Sequence, residues 1–201
     1  VLIGSSHSMG TGVTDDESFE NIVEDRLNRE ISPRTGLRYE ILNFSVGGFG
    51  PASNLAVLEA RALEFEPDAV IYVGINDFSF VRKEVVGAIE GTYELPWIEP
   101  VEMARAAGVE KGMDISVAAA KLLPRQSELL GWVYRRMADD CRGRGITPIA
   151  TILPIPTETP PEALAEWRSL VALEREAGFV VIDMLDVYDS LPGLDGIWLA
   201  A

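Results

Sequence analysis

Cysteine, histidine and lysine are nearly absent from this 201-residue chain. Cys141 is the one cysteine, which excludes a disulfide framework or a thiolate metal cluster within these residues. It closes a helical pattern just before Arg142-Gly143 and reads as a half-buried helix-end thiol rather than a nucleophile. Positive charge is scarce: 17 Lys and Arg face 32 Asp and Glu, a formal net charge of −15. Only Lys83, Lys111 and Lys121 are lysines. A field of that sign repels phosphate backbones and anionic lipid surfaces, so neither nucleic acid nor a membrane surface is an expected partner. Long apolar runs are missing, and none reaches the ~18 residues of a membrane span. Internal repeats and low-complexity linkers are missing as well. The first residue is not Met and lies inside an apolar segment, so residues are expected upstream.

What is present is ordinary globular material, 47% apolar, enough at this length for one self-supporting domain over 1–201. The pattern alternates strand and helix. Val1–Ile3 ends a first strand. Thr14 with Glu17 forms a capping box, after which Phe19, Ile22, Val23 and Leu27 share one helical face. Tyr39–Phe44 reads as a second strand. Pro51 opens a helix with Leu55, Leu58 and Ala62 on one face, stopped by Glu66-Pro67. Ala69–Val73 is a continuous apolar strand, as expected when both faces are covered. Residues 78–123 break the rhythm. The stretch is too long for an ordinary connection, and a lid or cleft wall bearing Tyr93, Trp97 and Met103 is as compatible with it as a plain surface excursion. A helix from about Arg125 to Arg142 carries Leu129, Val133 and Met137, and Ile146–Leu153 is a strand. Thr159-Pro160-Pro161-Glu162 starts a helix with Leu164, Trp167 and Val171, and Phe179–Ile182 is the last strand. Such alternation predicts a mostly parallel five-stranded sheet with helices on both faces, with right-handed crossovers.

Ligands of such sheets bind at the carboxyl ends of the strands, and the chemistry-bearing residues gather there. The first strand runs into Gly4-Ser5-Ser6-His7-Ser8-Met9-Gly10, the second into Asn43-Phe44-Ser45-Val46-Gly47-Gly48-Phe49-Gly50, the third into Gly74-Ile75-Asn76-Asp77. Ser6 offers a hydroxyl at a strand-to-helix turn, where free N–H groups and a helix dipole favour an anion. Gly48 offers an unobstructed backbone N–H, and Asn76 an amide donor. A nucleophile with convergent donors equips a site for acyl transfer through an oxyanion.

These three blocks resemble those of the SGNH (GDSL-type) hydrolases. "GSSHSMG" is similar to the GDSxxxG block, with Ser6 at the nucleophile. "NFSVGGFG" and "GIND" resemble the second and third blocks, with Gly48 and Asn76 at the oxyanion-hole positions. The likeness covers about residues 1–77 well, and "ITPIATILPIP" and "GFVVIDMLDVYDSL" resemble the later strands more weakly. It implies a flavodoxin-like three-layer αβα sandwich and a serine ester hydrolase for a small acyl or acetyl ester, a carbohydrate ester among the candidates, with no cofactor and no metal. Two departures stand out. Ser5 replaces the family's Asp, which implies altered loop packing. The family's base is a histidine in an Asp-x-x-His block, and no histidine follows His7 here. Either Asp195-Gly196-Ile197-Trp198 is that block with Trp198 replacing the base, or the block lies beyond Ala201; the second is the expectation adopted.

Rival readings bear on each residue. Ser6 alone would read as a helix N-cap. His7, adjacent to Ser6, would point away from its hydroxyl and reads as a rim residue. Gly48-x-Gly50-x-x-Ser53 lacks the third glycine of a dinucleotide loop. Asn43-Phe44-Ser45 matches a glycosylation sequon but sits at the end of a core strand. Asp77 reads as fixing a turn, and Asp139-Asp140 and Asp15–Glu17 as solvated helix surface. A binding module that has lost its base, or an acyltransferase on the same site, are the competing functions. Oligomeric state and localisation are left open.

Overall fold

The computed structural model describes residues 1–154 and 161–189. Four strands, β1 (Leu2–Gly4), β2 (Ala69–Gly74), β3 (Thr147–Ile152) and β4 (Val180–Val181), form one parallel sheet in the order β1-β2-β3-β4. Between them lie α1 (Phe19–Arg26), α2 (Ser32–Thr35), α3 (Pro51–Ala60), α4 (Asp77–Glu90), α5 (Glu99–Ala106), α6 (Ile115–Lys121), α7 (Gln126–Arg142) and α8 (Pro161–Ala177). Thr159 and Pro160, which the sequence assigns to the start of α8, lie outside the described residues, as do Asp195 and Trp198. Among the described residues no helix is long and apolar enough to cross a membrane.

The fold class is as expected, α/β with helices flanking a parallel sheet, but the fifth strand is not. Tyr39–Phe44 pairs with β1 through one bridge, Leu2 to Asn43. The Leu2 N–H donates to Leu42 O at 2.9 Å, and the Phe44 N–H to Leu2 O at 2.8 Å. Earlier in the segment, side chains take the backbone donors instead. The Tyr39 N–H goes to Asn28 Oδ1 at 2.9 Å and the Ile41 N–H to Glu24 Oε2 at 2.7 Å.

Side chains alternate across a strand, so Ile3, Val70, Tyr72, Ala150 and Ile152 share one face of the sheet. They join a single buried cluster with Leu55 and Leu58 of α3, Val81 and Val85 of α4, Leu129, Val133 and Met137 of α7, and Leu170 and Val171 of α8. Residues 78–123 are largely helical, and Trp97, Val101, Ala104, Ala118 and Leu122 belong to this cluster. Trp97 is therefore a core residue; its indole N–H donates to Glu59 at 3.1 Å. Cys141 is fully buried rather than half-buried, and burial pushes its thiol up to about 11. Asp140 is half-buried rather than solvated, and burial beside Glu59 pushes its carboxyl up to about 6.

α1 departs most from expectation. Its stripe Phe19, Ile22 and Val23 is 43%, 47% and 40% exposed, and no residue of α1 or α2 belongs to the buried cluster among the described residues. The opposite face of the sheet is correspondingly open toward one edge: Ile71 and Ile149 are half-buried and Val180 is exposed.

Glu174 of α8 is an anomaly in the packed face. It is completely buried, and neither carboxyl oxygen has a hydrogen-bond partner among the described residues. Burial, then the charge of Asp77, raises it to about 9. The folded protein thus holds a proton that the unfolded chain releases near its ordinary value of 4.5. Stability therefore falls as pH rises from about 4.5 to about 9, by up to about 1.4 kcal/mol per pH unit. Glu174→Met should unfold at a higher temperature than the wild type at pH 8, with the gap narrowing toward pH 5. A gap independent of pH in thermal melts would contradict a neutral Glu174.

Candidate active site

β1 is fully buried to its last residue and hands the chain to Ser5, buried, and Ser6, half-buried. From there the chain winds through hydrogen-bonded turns. The Met9 N–H donates to Ser5 O at 2.9 Å, the Thr11 N–H to Ser6 O at 3.1 Å, and the Ser8 hydroxyl to Ser5 O at 3.2 Å. The next helical turn begins at Asp15. No helix starts at Ser6, so the helix-dipole part of the expectation does not apply, and neither does the reading of Ser6 as an N-cap. A side chain on Gly4 would overlap the Ser8 hydroxyl and touch Val73 O at 3.0 Å, so the tight turn requires glycine there. His7 is exposed.

The second segment comes alongside. The Val46 N–H donates to Gly4 O at 3.1 Å, holding the loop to the end of β1. A Cβ placed on Gly47 would stand 3.8 Å from Ser6 Cβ, so Gly47 and Gly48 lie beside the serine turn. Gly48 has φ +84° with nothing within 4 Å of an added Cβ. Glycine is therefore needed there for its backbone and not for space. Asn43, whose role the sequon match obscures, is the strut between the two segments. Its amide nitrogen donates to Ser8 O and to Glu20 Oε1, both at 2.8 Å, and its oxygen accepts the Ser45 N–H at 2.9 Å.

Asn76 follows β2 in the left-handed region, φ 52° and ψ 32°, which Asn tolerates better than most residues. Its carbonyl accepts the Ser79 and Phe80 N–H groups at 2.9 and 3.1 Å, starting α4. The turn is pinned by Asp77, whose buried carboxylate accepts the Tyr72 and Tyr134 hydroxyls at 2.6 Å each and the Ile75 N–H at 2.9 Å. Burial raises the Asp77 carboxyl, and these bonds oppose the shift. Both tyrosine hydroxyls are held well above their ordinary value, first by burial and then by Asp77. The pairing of Gly4 with Val73 sets β1 and β2 side by side, so that Ser6 and Asn76 each come two residues after the end of neighbouring strands.

Solved structures with this architecture include two that are described as esterases. The structure of TesA aligns with 99% of this chain and 84% of its own, with a TM-score of 0.59 and 18% identity. AlinE4, described as a SGNH-hydrolase family esterase, aligns over 100% of this chain and 84% of its own, with a TM-score of 0.52 and 16% identity. The esterase EstA from Pseudoalteromonas sp., inhibited by monoethylphosphonate, aligns over 94% and 80%, with a TM-score of 0.53 and 14% identity. The fold is that of the SGNH-type hydrolases. No protein-family model and no curated protein matches the chain.

On this SGNH-type fold, Asp77 locks the turn that presents Asn76. Removing its carboxylate strands two buried hydroxyls and one N–H. Asp77→Ala should therefore lower stability by about 2–4 kcal/mol. A loss below about 1 kcal/mol in urea unfolding would mean that the tyrosines find other partners and that the turn does not depend on Asp77.

Proposed function

We propose that this protein is a serine ester hydrolase acting on small acyl or acetyl esters. What supports this most is that Ser6 and Asn76 follow the carboxyl ends of the neighbouring strands β1 and β2, with the Gly47-Gly48 loop beside the Ser6 turn. The esterase activity of proteins sharing the fold adds to it. In this reading the Ser6 hydroxyl attacks the ester carbonyl and its proton passes to a base. The carbonyl oxygen becomes an oxyanion held by the Ser6 and Gly48 N–H groups and the Asn76 side-chain amide. Collapse of the intermediate expels the alcohol, which takes the proton back from the base. Water, deprotonated by the same base, then releases the acid from Ser6.

Serine is a poor nucleophile without a base. His7 is the one histidine of these 201 residues, and it is exposed on the turn after Ser6. Our reading gives the role of base to a histidine of an Asp-x-x-His block, as the family resemblance implies, and not to His7. The single histidine is also what favours the competing reading, a binding module that keeps the pocket and lacks the base. Transfer to a sugar hydroxyl in place of water shares the acyl-enzyme half and differs only in the acceptor.

Two measurements separate these readings. Asn76→Ala in the full-length parent protein should lower kcat on p-nitrophenyl acetate by about 10²–10³ with little change in KM. A large rise in KM at constant kcat would reduce Asn76 to a substrate contact. The full-length protein should also turn over p-nitrophenyl esters far faster than residues 1–201 alone, and Ser6→Ala should abolish the difference. A full-length sequence with no later histidine would replace the hydrolase reading with the binding module.

A further inference from the structure

α4 does more than follow Asn76. Two turns into it stands Glu84, almost completely buried on the same helix as the apolar Val81 and Val85. A lone carboxylate in such a place needs a reason, since burying an uncompensated charge is costly. Its partners are not side-chain cations. Glu84 Oε1 accepts the Gly50 N–H at 3.0 Å and the Ser53 N–H at 2.9 Å, and Oε2 accepts the Ala52 N–H at 3.0 Å.

These donors are the opening of α3. The first N–H groups of a helix have no partner within it. Gly50 is the N-cap residue and has no side chain to supply one, and Pro51 has no N–H. Glu84 therefore takes every backbone donor that residues 50–53 offer, and its negative charge faces the positive end of the α3 dipole. The approach is close enough to dictate the sequence: a Cβ on Gly50 would lie 2.7 Å from both Glu84 Oε2 and Phe80 Cβ. The Asn54 side-chain amide fixes the same residue from within α3, donating to Gly50 O at 2.9 Å.

The consequence lies two residues upstream. Gly48 sits on the short loop whose far end is Gly50, and Asn76 is the residue from which α4 starts. One helix thus carries one proposed oxyanion donor at its start and grips the loop that carries another. We infer that Glu84 is a positioning residue that sets the spacing between the Gly48 N–H and the Asn76 amide by clamping the start of α3 onto α4. The inference rests on the hydrolase reading above. It adds that the two donors act as one unit, because the same helix holds both. In Glu84→Gln the amide nitrogen cannot accept an N–H, so at least one of the three bonds is lost and an N–H faces an NH₂. The Gly48 loop then relaxes away from α4, and misplacement by about 1 Å is enough to cost about 10²-fold in rate.

The test is a double-mutant cycle in the full-length parent protein, with kcat normalised to the serines titrated by a phosphonate ester so that unfolded molecules do not count. Glu84→Gln should lower kcat on p-nitrophenyl acetate by about 10–100-fold and leave KM within about threefold. In an Asn76→Ala background the same substitution should cost less than about threefold, because the pair whose spacing Glu84 sets is already broken. A merely structural role would leave normalised kcat unchanged, or would lower it equally in both backgrounds; either result overturns the inference. If Glu84→Gln does not fold, Glu84→Asp, which keeps the charge one methylene short of the loop, is read by the same criteria. Activity surviving Ser6→Ala would instead overturn the hydrolase reading itself. Ser6-dependent activity with unchanged kcat in Glu84→Gln would overturn only the clamp.

Discussion

The buried carboxylate of Asp77 ties the sheet, α7 and the turn after β2 together. It receives one hydroxyl from the sheet at Tyr72, one from α7 at Tyr134, and the N–H of Ile75 from its own turn. It therefore fixes the end of β2 relative to α7 and holds the turn in which Asn76 takes its left-handed conformation. The close fit extends to Gly74, where a Cβ would lie 2.6 Å from Asp77 Oδ2 and 2.8 Å from Ile152 Cδ1. α4 starts from that turn, and α4 in turn grips α3 through Glu84. The order of dependence runs from sheet to turn, from turn to helix, and from helix to the glycine loop beside Ser6.

Three buried carboxylates show three ways of meeting the cost of desolvation in a strongly acidic chain. Glu84 is met by three backbone N–H groups at a helix start. Asp77 is met by two hydroxyls and one N–H. Glu174 is met by nothing among the described residues and keeps its proton instead. The first two anions stand next to the loops of the candidate site, where fixed geometry matters most. The third lies on α8 itself and contributes a stability that drains away as pH rises.

Much of the architecture is legible in the sequence because apolar period and turn residues agree. Ala69–Val73, the α7 stripe of Leu129, Val133 and Met137, and the Pro51 helix start all lie where the pattern puts them. Tyr39–Phe44 has the composition of a strand, but pairing needs a neighbour, and the side chains of Asn28 and Glu24 take part of its backbone instead. Phe19, Ile22 and Val23 form a sound amphipathic stripe, yet a period says that a face is apolar and not that anything covers it. The strand-end blocks point to Ser6, Gly48 and Asn76, the proposed site residues, because such a pattern is local in sequence. Asp77 is legible as the residue that fixes its turn, but its bonds to Tyr72 and Tyr134 and the roles of Asn43 and Glu84 stay hidden because those bonds span 5–57 positions of chain. The one local signal for Glu84 is a carboxylate set among valines on the buried stripe of α4.

The central claim is that Ser6 is the nucleophile of an ester-hydrolysing site, and covalent trapping addresses it most directly. The full-length parent protein is treated with a p-nitrophenyl phosphonate ester, which a serine hydrolase attacks as it would a substrate and which leaves a stable adduct on the attacking oxygen. Intact mass should rise by one phosphonyl group per chain, with loss of esterase activity in proportion. Peptide mapping should place the group on Ser6, and Ser6→Ala should take up none. An adduct on any other residue that tracks the loss of activity, or full inactivation with Ser6 unmodified, would contradict the account.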